Sequence, residues 1–214
     1  MSPLRFSESL ASRLCHDLVA PIGAIQTGLE LLSQTTPDHL TEFKEILNLI
    51  LHSTETASAR ANFFRAAFGT SGNTLSFQEI KTITGNYLAP TKLNISWQDC
   101  TDPTFLKGWG RLFLNSILWL NECAPRGGKL EISFPQIDPL SILLHLKGQS
   151  LVFHKGTLEI LQESPLPDDL TPRNIPCYLI RYLLEEKKAT LSLTQDPSGN
   201  EIKGEIHALS CLSQ

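Results

Sequence analysis

No apolar run in this chain of 214 residues approaches the roughly 20 residues that a bilayer-spanning helix needs. The N-terminus has no basic segment leading into an apolar one, so no signal peptide is expected. Lysine and arginine are never gathered into a block, and the formal net charge is −4. The electrostatic footprint of a nucleic-acid binder is therefore missing. The five cysteines, Cys15, Cys100, Cys123, Cys177 and Cys211, are odd in number, widely spaced and free of any C-x-x-C pair. That argues against a disulfide framework and against a structural zinc site, and it fits reduced thiols in a cytoplasmic protein. His39, His52, His145, His154 and His207 share no metal-ligand spacing and read as structural or solvated.

What remains is an ordinary globular balance, 41% hydrophobic and 19% charged, with length for one large or two small domains. Within it one histidine stands apart. Leu10, Leu14, Leu18, Ile22, Ile25, Leu29 and Leu32 recur at spacings of three and four, the stripe of an amphipathic helix expected over about Ser7 to Ser33. At about 100° per residue, His16 lies roughly 160–200° from both Leu14 and Leu18. It points away from the stripe, with Asp17 beside it and Pro21 five residues on. An outward imidazole on a rigid helix suits nucleophilic or proton-transfer chemistry. Pro21 inside the helix leaves the carbonyl of Asp17 without its donor and bends the chain there.

The segment Gln34 to Asp38 turns the chain, with Thr36 or Asp38 as the next N-cap. A second helix comes next, with a heptad-like seam of Leu40, Phe43, Leu47, Ile50, Thr54, Ala57, Ala61, Phe64 and Phe68. Ile46, Leu49 and Leu51 widen that face beyond what two helices can enclose, so a homodimer forming a four-helix bundle is expected. The loop Gly69 to Asn73 closes this unit. The expected division is residues 1–72 as a helical-hairpin dimerisation domain and residues 73–214 as an α/β domain. Phe63, Phe64 and Phe68 are placed to pack the joint between them.

Beyond the loop, helix-like and strand-like segments alternate. Ser76 to Glu79 has the capping-box pattern before a short helix. Strands are expected at 93–97, 129–134, 141–146 and 150–154, helices at about 104–123 and 174–187, and a terminal hairpin of 190–194 with 201–208. The fold class is α+β: a helical hairpin followed by an α/β sandwich with helices on one face of a mixed sheet.

The run His16-Asp17-Leu18-Val19-Ala20-Pro21 resembles the H-box of two-component histidine kinases. The longer stretch from Arg13 to Leu32 resembles more closely the ChpT family of alphaproteobacterial histidine phosphotransferases, which are kinase-like dimers without ATP binding. The resemblance covers the whole chain in layout and is specific over residues 13–32, more weakly over 111–132. It also implies where an ATP site would lie. The Mg²⁺-binding asparagine of the kinase N-box stands six residues before a P-x-G-G turn, and six before Pro125 is Trp119. Asn115 matches only an upstream asparagine, and Asn121 is out of register by two. An indole cannot ligate a hard cation. Leu146 to Ser150 lacks the expected Asp-x-Gly-x-Gly, and Thr171 to Pro176 contains no glycine to cradle phosphates.

The resemblance therefore implies a phosphorelay intermediate. His16 would take a phosphoryl group from a receiver aspartate of a hybrid histidine kinase and hand it to the receivers of response regulators. Asp17 would fix the tautomer of its ring. No cofactor is expected on this chain, since Mg²⁺ would sit on the receiver. Ala20 replaces the water-orienting Thr or Asn of bifunctional kinases, so little phosphatase activity is expected. Residues near 56 on the second helix should face His16. Helical phase offers Arg13, Ala20, Gly23, Ala24 and Thr27, with Pro21, on the first helix as receiver contacts, and Glu55, Ser58 and Arg60 on the second. Two alternatives stay open: an active ATP-dependent kinase fragment, and a non-enzymatic dimeric module that binds kinases.

Overall fold

The computed structural model describes residues 2–35, 40–98, 107–136, 139–154, 156–162 and 170–208. Helix α1 runs Pro3–Gln34, starting four residues earlier than expected because Ser2 caps it. The Ser2 hydroxyl accepts from the Arg5 N–H, with Pro3 at the first helical position, where no N–H is needed. Helix α2 runs Leu40–Phe68 antiparallel to it. The expected caps Thr36 and Asp38 lie outside the described residues. A short 3₁₀ turn, Thr70–Asn73, joins the hairpin to the α/β layer.

Helix α3 (Phe77–Leu88) opens with the capping box Ser76–Glu79 that its sequence announced. Strand β1 (Leu93–Trp97) then crosses over through α4 (Gly110–Cys123) to the parallel strand β2 (Gly128–Gln136). Antiparallel β3 (Ser141–Lys147), α5 (Thr157–Gln162), α6 (Ile175–Glu186) and the hairpin of β4 (Ala189–Gln195) and β5 (Glu201–Ala208) complete the chain. Strand order is β1-β2-β3-β5-β4. Alternation sets the inner face: Leu130 and Ile132, then Ile142, Leu144 and Leu146, then Ile202 and Ile206 are all buried. Helix α4 is buried from Leu112 through Leu120, the signature of a helix packed on every side.

Two expected elements differ, and one element is new. The helix drawn from residue 104 begins at Gly110: residues 107–109 form a turn, with Gly108 at φ +83°, a left-handed conformation that interrupts a helix. The strand drawn at 150–154 does not form, because its backbone donors are used elsewhere. The Leu151 N–H bonds Gly199 O, and the Val152 N–H bonds Cys123 O at the end of α4. Helix α5 went unforeseen, since six residues carry too short a period to register.

The buried stripe of α2 is also rotated from the expected seam. Ile46, Ser53, Phe63, Phe64, Ala66 and Ala67 are buried, whereas Leu40, Phe43 and Leu51 are exposed, as are Ile22 and Leu29 on α1. The two helices approach closely at Gly28, where an added Cβ would lie 2.6 Å from Ile50 Cγ1. At the base of the hairpin Phe63 stacks on Tyr87 of α3 with ring centroids 4.0 Å apart, and Phe64 stacks on Phe68. The aromatic joint lies where the sequence placed it.

Candidate functional site

His16 stands midway along α1 with 84% of its side chain exposed. Its Nδ1 lies 2.9 Å from Oδ1 of Asp17. A carboxylate only accepts, so in the neutral ring the proton of this bond belongs to Nδ1. The lone pair on Nε2 is then left facing solvent, which is the form a nucleophilic imidazole needs.

Asp17 is itself held at two points. Its Oδ2 accepts from Arg13 Nε at 2.8 Å, one helical turn earlier. Its backbone carbonyl, the one deprived of a donor by Pro21, accepts from Arg60 Nη1 of α2. The proline thus opens a vacancy in the helix ladder, and the facing helix fills it with a charged donor. Arg60 is the residue level with Asp17, so the two helices pair about four residues away from the expected position near 56.

Arg13 is buried. Besides Asp17 it meets Glu122 Oε1 in the last turn of α4 through Nη2, and its Nη1 reaches toward the Pro172 carbonyl at 3.5 Å. Burial opposes the charge of the guanidinium, but Glu122 and Asp17 outweigh it and hold its pKa above the ordinary value. For Glu122 burial dominates and raises the carboxyl pKa, only partly offset by Arg13 and His154. His154 Nε2 stands 3.3 Å from the Glu122 carbonyl. An open cleft of about 500 Å³ lies over this network, lined by His16, Asp17, Glu122, His154, Pro172 and Arg173 among others.

Several sequence-based placements change here. Arg13 and Pro21 are buried, Arg13 meeting solvent only as part of the cleft floor, and Ala24 is half-buried. Arg60 is half-buried and turned to the Asp17 carbonyl. Ala20, Gly23, Thr27, Glu55 and Ser58 are exposed. Glu122, His154 and Arg173 were not foreseen as neighbours of His16. The only local hint was the Arg13–Asp17 spacing, an i,i+4 ion pair. Elsewhere, Trp119 is buried and stacks on Phe153 with centroids 5.9 Å apart. Asn115 is also buried, its amide donating to the carbonyls of Ala67 and Arg111, both at 2.8 Å.

The chain thus presents a solvent-facing histidine, with a carboxylate beside it, on a helical hairpin docked on an α/β layer. The family model described as "Histidine phosphotransferase C-terminal domain" matches residues 77–199, and the chain belongs to that histidine phosphotransferase family. It is 29% identical over 198 residues to the protein phosphotransferase ChpT of Brucella abortus (strain 2308), covering 90% of this chain and 91% of that one. It also resembles the 1.7 Å structure of a bacterial phosphotransferase, with a TM-score of 0.79 at 27% identity over 96% of this chain and 97% of the other. The function is that of a phosphorelay phosphotransferase.

Proposed function

We propose that Nε2 of His16 is the atom that carries the phosphoryl group. It attacks the phosphorus of a receiver's aspartyl-phosphate in line, the P–O bond to the carboxylate breaks, and the aspartate leaves as the free anion. Transfer to a second receiver is the reverse. Such transfers pass through loose transition states in which positioning and charge stabilisation supply most of the effect. The observation that carries this reading is the bond from Nδ1 to Asp17, with the opposite nitrogen open to a visiting protein. Mixing the protein with a phosphorylated receiver is expected to leave an acid-labile phosphate on the wild type and none on His16→Ala. Label on the alanine variant would transfer the role to another residue.

The donor is another protein rather than ATP on this reading. Trp119 fills core volume where the kinase pattern needs a cation-binding amide, and the buried Asn115 spends its amide on backbone carbonyls. Mg²⁺ belongs to the receiver, and the recipients are receiver domains of response regulators and of a hybrid kinase. Ala20, exposed one turn beyond His16, offers no group to orient a hydrolytic water. The setting is cytoplasmic. Among the described residues no helix is long and apolar enough to cross a membrane.

The working unit is a homodimer. Ile22 and Leu29, seven residues apart, share one face of α1, and Leu40, Phe43 and Leu51 extend it on α2, all of them exposed in the single chain. An apolar stripe along both helices of a hairpin is what a four-helix bundle covers. The double variant Ile22→Glu/Leu29→Glu is expected to sediment as a monomer at micromolar concentration, where the wild type sediments as a dimer. A dimeric double variant would remove this face from the interface.

A further inference from the structure

The Nε–Nη2 edge of Arg13 is suited to gripping a carboxylate through two parallel hydrogen bonds, a favoured geometry for this pair. In this protein that edge is divided. Nε goes to Asp17 Oδ2, and Nη2 goes to Glu122 Oε1 on a different element. The division leaves Asp17 Oδ1 unclaimed by the guanidinium, and it is Oδ1 that meets His16 Nδ1. We infer that Glu122 is a positioning residue for His16: by occupying Nη2 of Arg13 it prevents a two-pronged grip on Asp17 and reserves the second carboxylate oxygen for the imidazole.

The consequence for the α/β layer is specific. Glu122 closes α4, and its carbonyl is met by His154 from the segment pinned under that helix, while Arg13 Nη1 points at Pro172 ahead of α6. Two parts of the α/β layer, the end of α4 and the turn ahead of α6, therefore converge on one guanidinium of α1, and His154 meets the first of them. The layer sets the ring of His16 through a chain of four side chains, Glu122, Arg13, Asp17 and His16, of which only the last is largely exposed. Without Glu122, Arg13 swings both donors onto Asp17, Oδ1 is shared, and the imidazole relaxes toward the Nε2–H form, which has no lone pair on the outward nitrogen.

This inference deepens the phosphotransfer reading and rests on it only for the rate. Long-range ¹H–¹⁵N correlation spectra of the full-length protein, at a pH where the ring is neutral, report the tautomer of His16 without any partner. The wild type is expected to hold mostly the Nδ1–H form. Glu122→Ala is expected to reduce that form at least about twofold and to slow transfer from a phosphorylated receiver about tenfold, with receiver affinity unchanged. Glu122→Gln, which keeps an oxygen for Nη2, should fall between, and it decides the matter if the alanine variant does not fold. A tautomer ratio equal to wild type in a folded variant overturns the inference. A shifted ratio in a protein that takes no phosphate at His16 would sink the phosphotransfer assignment while leaving the positioning role intact.

Discussion

Asp17→Asn is expected to slow phosphoryl transfer through His16 by on the order of a hundredfold or more, with helix content and melting temperature close to wild type. The reason is the polarity of the bonds on either side of residue 17. Arg13 Nε can only donate, so the amide oxygen of an asparagine turns toward it, and the amide NH₂ is left facing His16 Nδ1. Nδ1 must then accept, the ring proton moves to Nε2, and the nucleophilic lone pair is lost from the solvent side. Size and helix fit are unchanged, so a thermal melt recorded beside the transfer assay separates chemistry from folding. A rate equal to wild type would remove Asp17 from the mechanism.

The largest effect on stability is expected at Trp119. Trp119→Ala should lower the free energy of unfolding by about 3–5 kcal/mol, a fall in melting temperature on the order of 10 °C. The indole is 1% exposed at the centre of α4 and stacks nearly parallel on Phe153. Truncation leaves a void and releases the segment that carries Val152 and His154 against the end of α4. Trp119→Phe should cost far less, under about 1.5 kcal/mol. It keeps an aromatic face for Phe153 and removes an indole N–H that has no acceptor among the described residues. Equal losses for both variants, by chemical denaturation, would show that the ring stack matters little.

The parts of this protein that were legible from sequence are those whose cause is local. The outward phase of His16 comes from helical periodicity alone, and the capping box at Ser76 and Glu79 from two residues three apart. The alternation of β3 and β5 comes from a period of two. The vacancy at the Asp17 carbonyl was legible because proline chemistry acts four residues back. The group that fills it was not, since Arg60 comes from the facing helix and its register depended on a turn of unknown shape. Glu122 and His154 lie more than 100 residues from His16 and reach it only after β1, α4 and the later strands have packed. Residues 150–154 looked like a strand because Leu151, Val152 and Phe153 form a short apolar run; the competition that takes the N–H groups of Leu151 and Val152 to Gly199 and Cys123 leaves no trace in the local pattern. The apolar residues of α2 divide between two faces, one packed within the chain and one exposed, and the sequence pattern does not separate them.

The aromatic base of the hairpin carries one more consequence. Phe63, Phe64, Ala66 and Ala67 belong to the same continuous core as α3, α4 and the sheet. The last two turns of α2 are therefore structural members of the α/β layer, although the chain reads as two modules. Cutting the gene at the 3₁₀ turn would leave raw hydrocarbon on both products, and the two halves expressed apart should clump rather than melt. Calorimetry of the intact chain should trace a single endotherm, because neither half can let go without exposing the other.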